Sequence, residues 1–343
     1  MRQSRLKAPV SFPLAYYHCL SRVVDRQFLF GETEKEMFVA LMREYEAFCG
    51  VRVLTFCVMS NHFHILLEVP QPPEHLPSDE LLLQRVERLS GLAGGSNTRQ
   101  ILQGLRAQGH HKRAEEFRGQ LFARMWDVSV FMKLLKQRFT QWFNRQRGRK
   151  GTLWEERFKS VLVEGAGEAL ATMAAYIDLN PVRANLVEDP QEYRWCGYAE
   201  AMAGKRAAKE ALRLIIAGGQ RVAPETFTLN QGLAKYRVWL FGQGEAHEGI
   251  TDQGQPMRKG FSRDIVAQVV AEKGRVALED YLRLRVRYFA DGAVLGTRRF
   301  VDEVFTTFRD RFGPKRKDGA RRLRGVHSND LYALRDLQGT VVT

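Results

Sequence analysis

Residues 61–69 (NHFHILLEV) constrain the fold more than any other part of the chain. The stretch reads as a β-strand, in which successive side chains point to opposite faces of a sheet. His62 and His64 therefore share one face, whereas Phe63 and Ile65 point to the other face, toward an apolar core. Two imidazoles side by side on one face are spaced to bind one divalent metal ion. We therefore expect a sheet with a metal site on its open face.

The periodicity of apolar residues predicts the elements around this strand. They are, in chain order, a strand at 14–23, a helix at 33–50, a strand at 51–59, the histidine strand, a helix at 128–146, a strand at 157–164 and a helix at 167–180 that stops at Pro181. The order βαββαβ predicts an α+β, ferredoxin-like (RRM-like) fold, with an antiparallel sheet and helices on one face. The other face should stay open and carry the histidines.

Composition divides the chain into two expected parts. The first is a domain at 1–204, interrupted by a helical insertion at about 70–127 that opens with PQPPEHLPSDE. Residues 205–343 contain 26 Lys and Arg but only 16 Asp and Glu, so most of the net charge of +14 lies there. We expect a basic, mainly helical extension and candidate DNA-binding domain, with helices at 262–273, 276–289 and 297–312 and a mobile basic tail at 314–325.

Charge and cysteine usage narrow the class of protein. A net charge of +14 favours a polyanionic partner, with nucleic acid first, although a basic soluble enzyme without such a partner stays open. The four cysteines form no CxxC pair, which indicates reduced thiols rather than a disulfide scaffold or a zinc ribbon. The basic N-terminus lacks the apolar segment of a signal peptide, and no run approaches the ~18 apolar residues of a membrane helix. A cytoplasmic protein is expected.

Two histidines provide neither a third metal ligand nor a nucleophile, and Asn180 and Tyr176 are the candidates for these two roles. They are four residues apart in YIDLNPVRAN, so both project from one face of a helix. The Asn180 carbonyl oxygen is a hard ligand that complements two nitrogens around Mg²⁺ or Mn²⁺. The Tyr176 phenol could attack phosphorus and form a phosphotyrosine that retains the energy of the phosphodiester. Ordinary roles remain open for each: structural histidines, a core tyrosine and an asparagine that ends a helix before proline.

Several stretches in the same order resemble one family, the REP-associated tyrosine transposases of the single-tyrosine transposase superfamily. They are YHCLSR, MSNHFHILLEV, FMKLLKQRFTQWFN, GTLWEERFKSVLVE and YIDLNPVRANLVEDPQEYRWCGY. Within them, HFH matches the HUH motif (histidine, hydrophobic residue, histidine) of single-strand endonucleases. The resemblance runs from about Leu14 to Gly204, interrupted by the insertion, and leaves residues 205–343 unassigned.

The resemblance implies a function and roles for the matching residues. Tyr176 would be the nucleophile that gives a 5′-phosphotyrosine and a free 3′-OH. His62 and His64 would bind the metal ion, and Asn180 would take the third ligand position, which some relatives fill with Gln. The substrate would be single-stranded DNA beside hairpins such as REP palindromes, cut and rejoined by a monomer or a homodimer.

Basic residues are expected to bind the DNA phosphates. They are Lys133, Lys136, Arg138, Arg145, Arg147 and Lys150 in and after the helix at 128–146, with Arg22 and Arg183. Two other functions stay open. A replication initiator or relaxase also uses an HUH site, but relaxases commonly add a third histidine and carry the tyrosine near the N-terminus, and no third nearby histidine is evident. A non-catalytic nucleic-acid-binding module would use the open sheet as an RNA-recognition surface does.

Overall fold

The computed structural model describes residues 5–241, 289, 292–323 and 331–334. The first half of the described chain consists of β1 Leu14–Arg22, α1 Glu32–Cys49, β2 Arg52–Val58, β3 His62–Pro70, α2 Asp79–Ala107, α3 His111–Phe122, α4 Val128–Gln146, β4 Lys159–Val163, α5 Glu168–Asp178 and α6 Asn180–Arg183. It continues with α7 Gly197–Met202, α8 Arg206–Gln220, α9 Leu229–Phe241, β5 Val294–Gly296, α10 Arg298–Thr307, β6 Arg321–Arg322 and β7 Tyr332–Leu334.

The elements expected before residue 181 are all present, close to their predicted bounds. Gly50 ends α1 in the left-handed conformation (φ 63°), which glycine adopts without steric cost. Asp127 begins α4, where its carboxylate accepts hydrogen bonds from the backbone N–H groups of Ser129 and Val130. The insertion is helical as expected and comprises α2 and α3. Among the predicted helices of the extension, 297–312 corresponds to α10, capped by Thr297, whereas those at 262–273 and 276–289 lie outside the described residues, apart from Phe289.

The strands form one sheet in the order β2-β3-β1-β4-β5-β7-β6. The first four are antiparallel, and β4 pairs in parallel with β5. The α+β class is therefore confirmed, but the sheet is neither wholly antiparallel nor limited to four strands. Strand β5 covers the edge of β4, whose Leu162 and Glu164 N–H groups donate to the carbonyls of Ala293 and Leu295. An unpaired edge would leave these groups without partners.

The residues after 204 thus contribute strands as well as helices. The described part of the extension is mainly helical, as expected, through α8, α9 and α10, but it also contains three short strands. Within the stretch predicted to be mobile, Arg321–Arg322 pairs with β7, and β7 pairs with β5. The expected boundary at residue 204 stays a prediction, although both sides of it contribute to the same sheet.

Helices cover both faces of the sheet, which corrects the expectation of helices on one face. On the first face, α1 and α4 pack against Phe63, Ile65 and Leu67. On the second face, buried residues of α5, α7, α8 and α9 form one apolar cluster with Leu66 of β3 and Val161 of β4. Leu66 lies between His64 and Glu68, so this face is apolar in part and gains stability when it is buried. The histidines therefore lie beneath helices rather than on an open surface.

Helix α5 is buried on all sides between the sheet and α8. Every residue from Ala169 to Asp178 is buried, and this buried stretch is apolar apart from Thr172, Tyr176 and Asp178, as a helix without a solvent face should be. The predicted stop at Pro181 is a bend instead. Helix α6 begins at Asn180, with Pro181 in its first turn, where the missing N–H leaves no hydrogen bond broken.

Two expectations from composition can be compared with the described residues. The four cysteines, Cys19, Cys49, Cys57 and Cys196, are buried free thiols, as predicted. No helix in the described ranges has both the length and the apolar character needed to cross a membrane.

Candidate functional site

The two histidines of β3 lie side by side on the second face of the sheet. Their ring centres are 5.1 Å apart. His64 is 3% exposed, and His62, at the start of the strand, is partly exposed. In the antiparallel pairing with β1, Arg22 lies opposite His62 and Leu20 lies opposite His64. The alternation of side chains between the two faces, predicted from the sequence, is thus present in the sheet.

Tyr176 lies against the same histidines. It belongs to α5, which covers the second face, and its ring centre is 5.8 Å from that of His64, edge to face. The Tyr176 side chain is 3% exposed. The structure therefore brings together three predicted site residues, His62, His64 and Tyr176, from two elements separated by more than a hundred residues in the chain.

A third histidine, His18 of β1, belongs to this cluster and was missed by the sequence reasoning. Its Nε2 lies 2.8 Å from Nδ1 of His64, and its Nδ1 lies 2.7 Å from the carbonyl oxygen of Phe289. The statement that no third histidine lies nearby is wrong. Strand alternation could have found it, because Tyr16, His18 and Leu20 share the face opposite to the core residue Cys19.

Burial keeps the imidazoles of His18 and His64 neutral. It lowers the pKa of His18 to about 4, and the carbonyl of Phe289 opposes this shift only in part. It also lowers the pKa of His64 well below its ordinary value, and the nearby His18, His62 and Arg183 lower it further. An imidazole must be neutral to bind a metal ion, so His64 has the protonation state that a ligand requires.

Arg183, predicted to bind DNA, contacts Tyr176. Its guanidinium carbon lies 4.2 Å from the centre of the Tyr176 ring, and it donates a hydrogen bond to the Tyr176 carbonyl oxygen. Burial lowers the pKa of Arg183 to about 10, so it remains charged at neutral pH. A cation over a phenol face is attracted by the ring quadrupole. Arg183 therefore fixes the ring of Tyr176.

Asn180 begins α6, one turn after Tyr176, and is 8% exposed. Its backbone carbonyl accepts the N–H of Ala184. Across the described ranges, no group of three or more histidine, cysteine, aspartate or glutamate side chains is arranged to hold a metal ion. A metal ion at His62 and His64 would therefore need an amide oxygen such as that of Asn180, or ligands from outside the described protein.

Asp178, between Tyr176 and Asn180 in sequence, ties α5 to three other elements. It is fully buried and accepts hydrogen bonds from Thr55 of β2 (2.6 Å), Tyr236 of α9 and the backbone N–H of Tyr198 in α7. Burial raises the pKa of Asp178 to about 7, and the three donors oppose this shift. The role of Asp178 is to hold α5 in place.

The basic residues of α4 do not surround the histidines. Helix α4 packs on the first face, so its outer side points away from His62 and His64. Lys133 and Arg138 are exposed and form no ion pair within the described part of the chain. Lys136 donates to the Glu156 carbonyl and lies 5.0 Å from the Trp154 ring centre, and burial lowers its pKa to about 7. Lys136 is thus only partly charged at neutral pH.

The segment that follows α4 lies beside the end of β1, near the histidines. Residues 153–155 pair with the end of β1, where the Arg22 carbonyl accepts the N–H of Glu155, and Arg22 lies opposite His62. Arg145 and Lys150 precede this segment and are exposed, whereas Arg147 pairs with Glu34 (2.5 Å). Arg22 therefore lies at the histidine end of the sheet, and contacts of Arg22, Arg145 and Lys150 with phosphate stay predictions.

Comparison with known proteins identifies part of the chain. Residues 11–76 match the model of a family described as IS200-like transposases. No curated protein matches the sequence. A solved structure of a REP-associated tyrosine transposase bound to a REP hairpin aligns with 60% of this chain and 85% of its own, at 12% identity and a TM-score of 0.37.

The matched segment contains β1, β2 and β3, and with them His18, His62 and His64. The resemblance carried by the sequence motifs is therefore confirmed over residues 11–76, where this chain matches the IS200-like transposases.

Proposed function

We propose that this protein is a metal-dependent strand transferase that cuts and rejoins single-stranded DNA beside hairpins such as REP palindromes. Tyr176 attacks the phosphodiester and forms a 5′-phosphotyrosine with release of a 3′-OH. The observation that carries the proposal is the contact of Tyr176 with His64 (ring centres 5.8 Å apart), because it joins the predicted nucleophile to the predicted metal ligands. The strand order β2-β3-β1-β4 supports the ferredoxin-like interpretation of the sheet.

The residues fit a divalent metal ion. With metal–ligand bonds of about 2.1 Å, two imidazoles in adjacent coordination positions have ring centres about 5 Å apart, and those of His62 and His64 are 5.1 Å apart. Asn180 would complete the set with its amide oxygen. When bound, Mg²⁺ or Mn²⁺ would neutralise charge on the scissile phosphate. Arg183 holds the Tyr176 ring during the attack, and the 5′-phosphotyrosine conserves the bond energy for rejoining.

The two alternatives gain less support. His18 is a third histidine, as relaxases have, but its Nε2 is occupied by the hydrogen bond to His64. It therefore contacts a candidate ligand rather than acting as one, and Tyr176 follows the histidine strand in the chain rather than preceding it. A binding module that uses an open sheet requires an exposed face, whereas α5 covers this face and leaves His64 only 3% exposed.

A covalent adduct tests the proposal directly. The full chain is incubated with single-stranded DNA that carries a hairpin between randomised flanks, in Mn²⁺ or in EDTA, and resolved on a denaturing gel. A label at the 3′ end should migrate with the protein, and a label at the 5′ end should appear on a shorter free strand. Mn²⁺ should be required for both.

Tyr176→Phe should abolish the adduct. The matched control is Tyr45→Phe, since Tyr45 is also buried but lies in α1 on the first face of the sheet. Absence of an adduct with the wild-type chain in Mn²⁺, or an adduct that persists in Tyr176→Phe, would show the mechanism to be wrong.

A further inference from the structure

Two hydrogen-bond chains end on the histidines of β3, and each chain starts from a backbone carbonyl. The first runs from the Phe289 carbonyl through His18 to His64. The second runs from the Arg26 carbonyl through Asn61 to His62. Because a carbonyl oxygen can only accept, each chain fixes where the protons lie.

In the first chain, the Phe289 carbonyl oxygen lies 2.7 Å from Nδ1 of His18, so this nitrogen carries a proton. A neutral imidazole has one N–H, which leaves the lone pair of His18 on Nε2. Nε2 lies 2.8 Å from Nδ1 of His64 and must accept from it. His64 therefore carries its proton on Nδ1 and its lone pair on Nε2.

The neutral state of His18 follows from its surroundings. His18 is 1% exposed, and the charged group that acts on it most is Arg183, a cation. A buried imidazolium beside a like charge would be strongly unfavourable. The opposite direction, with a charged His18 donating to His64, is therefore excluded.

In the second chain, the Asn61 amide is oriented by its own donor. Nδ2 of Asn61 donates to the Arg26 carbonyl (3.0 Å), which turns Oδ1 toward His62. Oδ1 lies 2.7 Å from Nδ1 of His62, so this nitrogen donates. When the His62 ring is neutral, as metal binding requires, its lone pair again lies on Nε2. Arg26 belongs to a turn in which Asp25 and Arg26 both adopt positive φ (55° and 54°), and the hydrogen bond from Asn61 helps to hold that turn.

We propose that His18 and Asn61 are positioning residues that set both histidines of β3 in the Nδ1–H tautomer, so that each presents the lone pair of Nε2 as the metal-binding nitrogen. The assignment of Nε2 as the ligand atom rests on the proposed function. The tautomers themselves do not, because they follow from hydrogen bonds present in the protein without metal or DNA. Partners of this kind orient metal-binding histidines and raise their basicity.

Nitrogen chemical shifts report the tautomers directly. The full chain is labelled with ¹⁵N-histidine, and long-range ¹H–¹⁵N spectra are recorded without metal or DNA. His62 and His64 are assigned by the signals that disappear in His62→Gln and His64→Gln. Both rings should show a protonated, pyrrole-type Nδ1 and an unprotonated, pyridine-type Nε2. A protonated Nε2 on His64 in the wild-type spectrum overturns the proposal without any variant of His18.

Variants separate the two chains. His18→Phe keeps a ring at this position but removes the acceptor, so His64 should shift toward the Nε2–H tautomer while His62 is unchanged. Asn61→Ala should shift His62 toward the Nε2–H tautomer and leave His64 unchanged. Mn²⁺ affinity, followed by the decrease of its EPR signal, should fall about 10–100-fold in either variant. His18→Gln, whose side chain can accept from Nδ1 and donate to a carbonyl, should restore the tautomer in part.

The outcomes also separate this inference from the proposed function. Predicted tautomers in a chain that forms no DNA adduct would refute the strand-transfer function and leave the tautomer assignment standing. If the wild-type chain forms the adduct but His18→Phe leaves the nitrogen shifts of His64 unchanged, the tautomer assignment is wrong and the strand-transfer function stands.

Discussion

At the residue scale, burial decides which basic side chains are suited to bind phosphate. Lys136 is packed against Trp154, and burial lowers its pKa to about 7, so part of its population is neutral at physiological pH. Arg145 follows on the same helix, is exposed, and carries a guanidinium that stays protonated in proteins. Of these two residues of α4, Arg145 is therefore the better candidate for a phosphate contact.

The pKa of Lys136 predicts a pH dependence of stability. The unfolded chain binds this proton up to about pH 10.4, whereas the folded chain releases it near pH 7. Between these values the unfolded state binds more protons, so the contribution of Lys136 to folding becomes more favourable as pH rises. Below about pH 7, Lys136 is largely protonated in the folded state as well, so the free-energy cost of burying its charge is present in full.

Lys136→Met should remove this dependence. Urea unfolding at about pH 6, 8 and 9.5 should show the wild type gaining stability relative to the variant from the lowest to the highest pH. Lys133→Met serves as the control, since Lys133 is an exposed lysine of the same helix, and its difference from the wild type should not vary with pH. A constant difference for Lys136→Met would mean that the ammonium is solvated in the folded state.

At the scale of elements, α5 and α6 form the platform that carries the candidate nucleophile. Tyr176 contacts His64, Arg183 from α6 lies over the Tyr176 ring, and Asp178 binds β2, α7 and α9. Sequence periodicity predicted the helix but not its partners. The partners follow from the apolar surface of α5, which has to be covered by the sheet on one side and by α8 and α9 on the other.

Removal of one donor to Asp178 should loosen this platform. In Tyr236→Phe, a fully buried carboxylate loses one of its three donors, so the free energy of unfolding should fall by about 1–3 kcal/mol. The comparison is Tyr45→Phe, because the Tyr45 hydroxyl forms no hydrogen bond with the described residues. Denaturant unfolding measures both, and equal losses in the two variants would contradict the stabilising role of the Tyr236–Asp178 hydrogen bond.

At the scale of the whole molecule, the part of the chain after residue 204 covers the site. Helix α8 contributes Leu212 and Ile215 to the second core, and α9 contributes Tyr236. Phe289 packs against Tyr176, with ring centres 4.9 Å apart, and its carbonyl binds His18. Strand β5 extends the sheet beyond β4. The site is therefore built from residues on both sides of the expected boundary at residue 204.

Truncation after Gly204 should accordingly damage catalysis as well as DNA binding. Loss of α8, α9 and β5 exposes the apolar surface of α5 and removes the carbonyl partner of His18. We expect a lower melting temperature, and an adduct yield that falls even at saturating DNA. The lighter substitution Tyr236→Phe should change the melting temperature in the same direction by a smaller amount. A truncated chain that forms the adduct at the wild-type rate with saturating DNA would show that the extension serves affinity alone.

The sequence by itself determined the elements of the first 180 residues, the shared face of His62 and His64, and the resemblance to a transposase family. Each of these depends on local periodicity or on a contiguous motif. Only the tertiary structure decided that the histidine face is covered, that His18 and Arg183 contact the site, and that α4 places most of its basic residues on the opposite face. Those features depend on pairings across long stretches of chain, such as that between His18 and Phe289, which are 271 residues apart. No local pattern encodes them, because they result from the burial of the second apolar surface of the sheet.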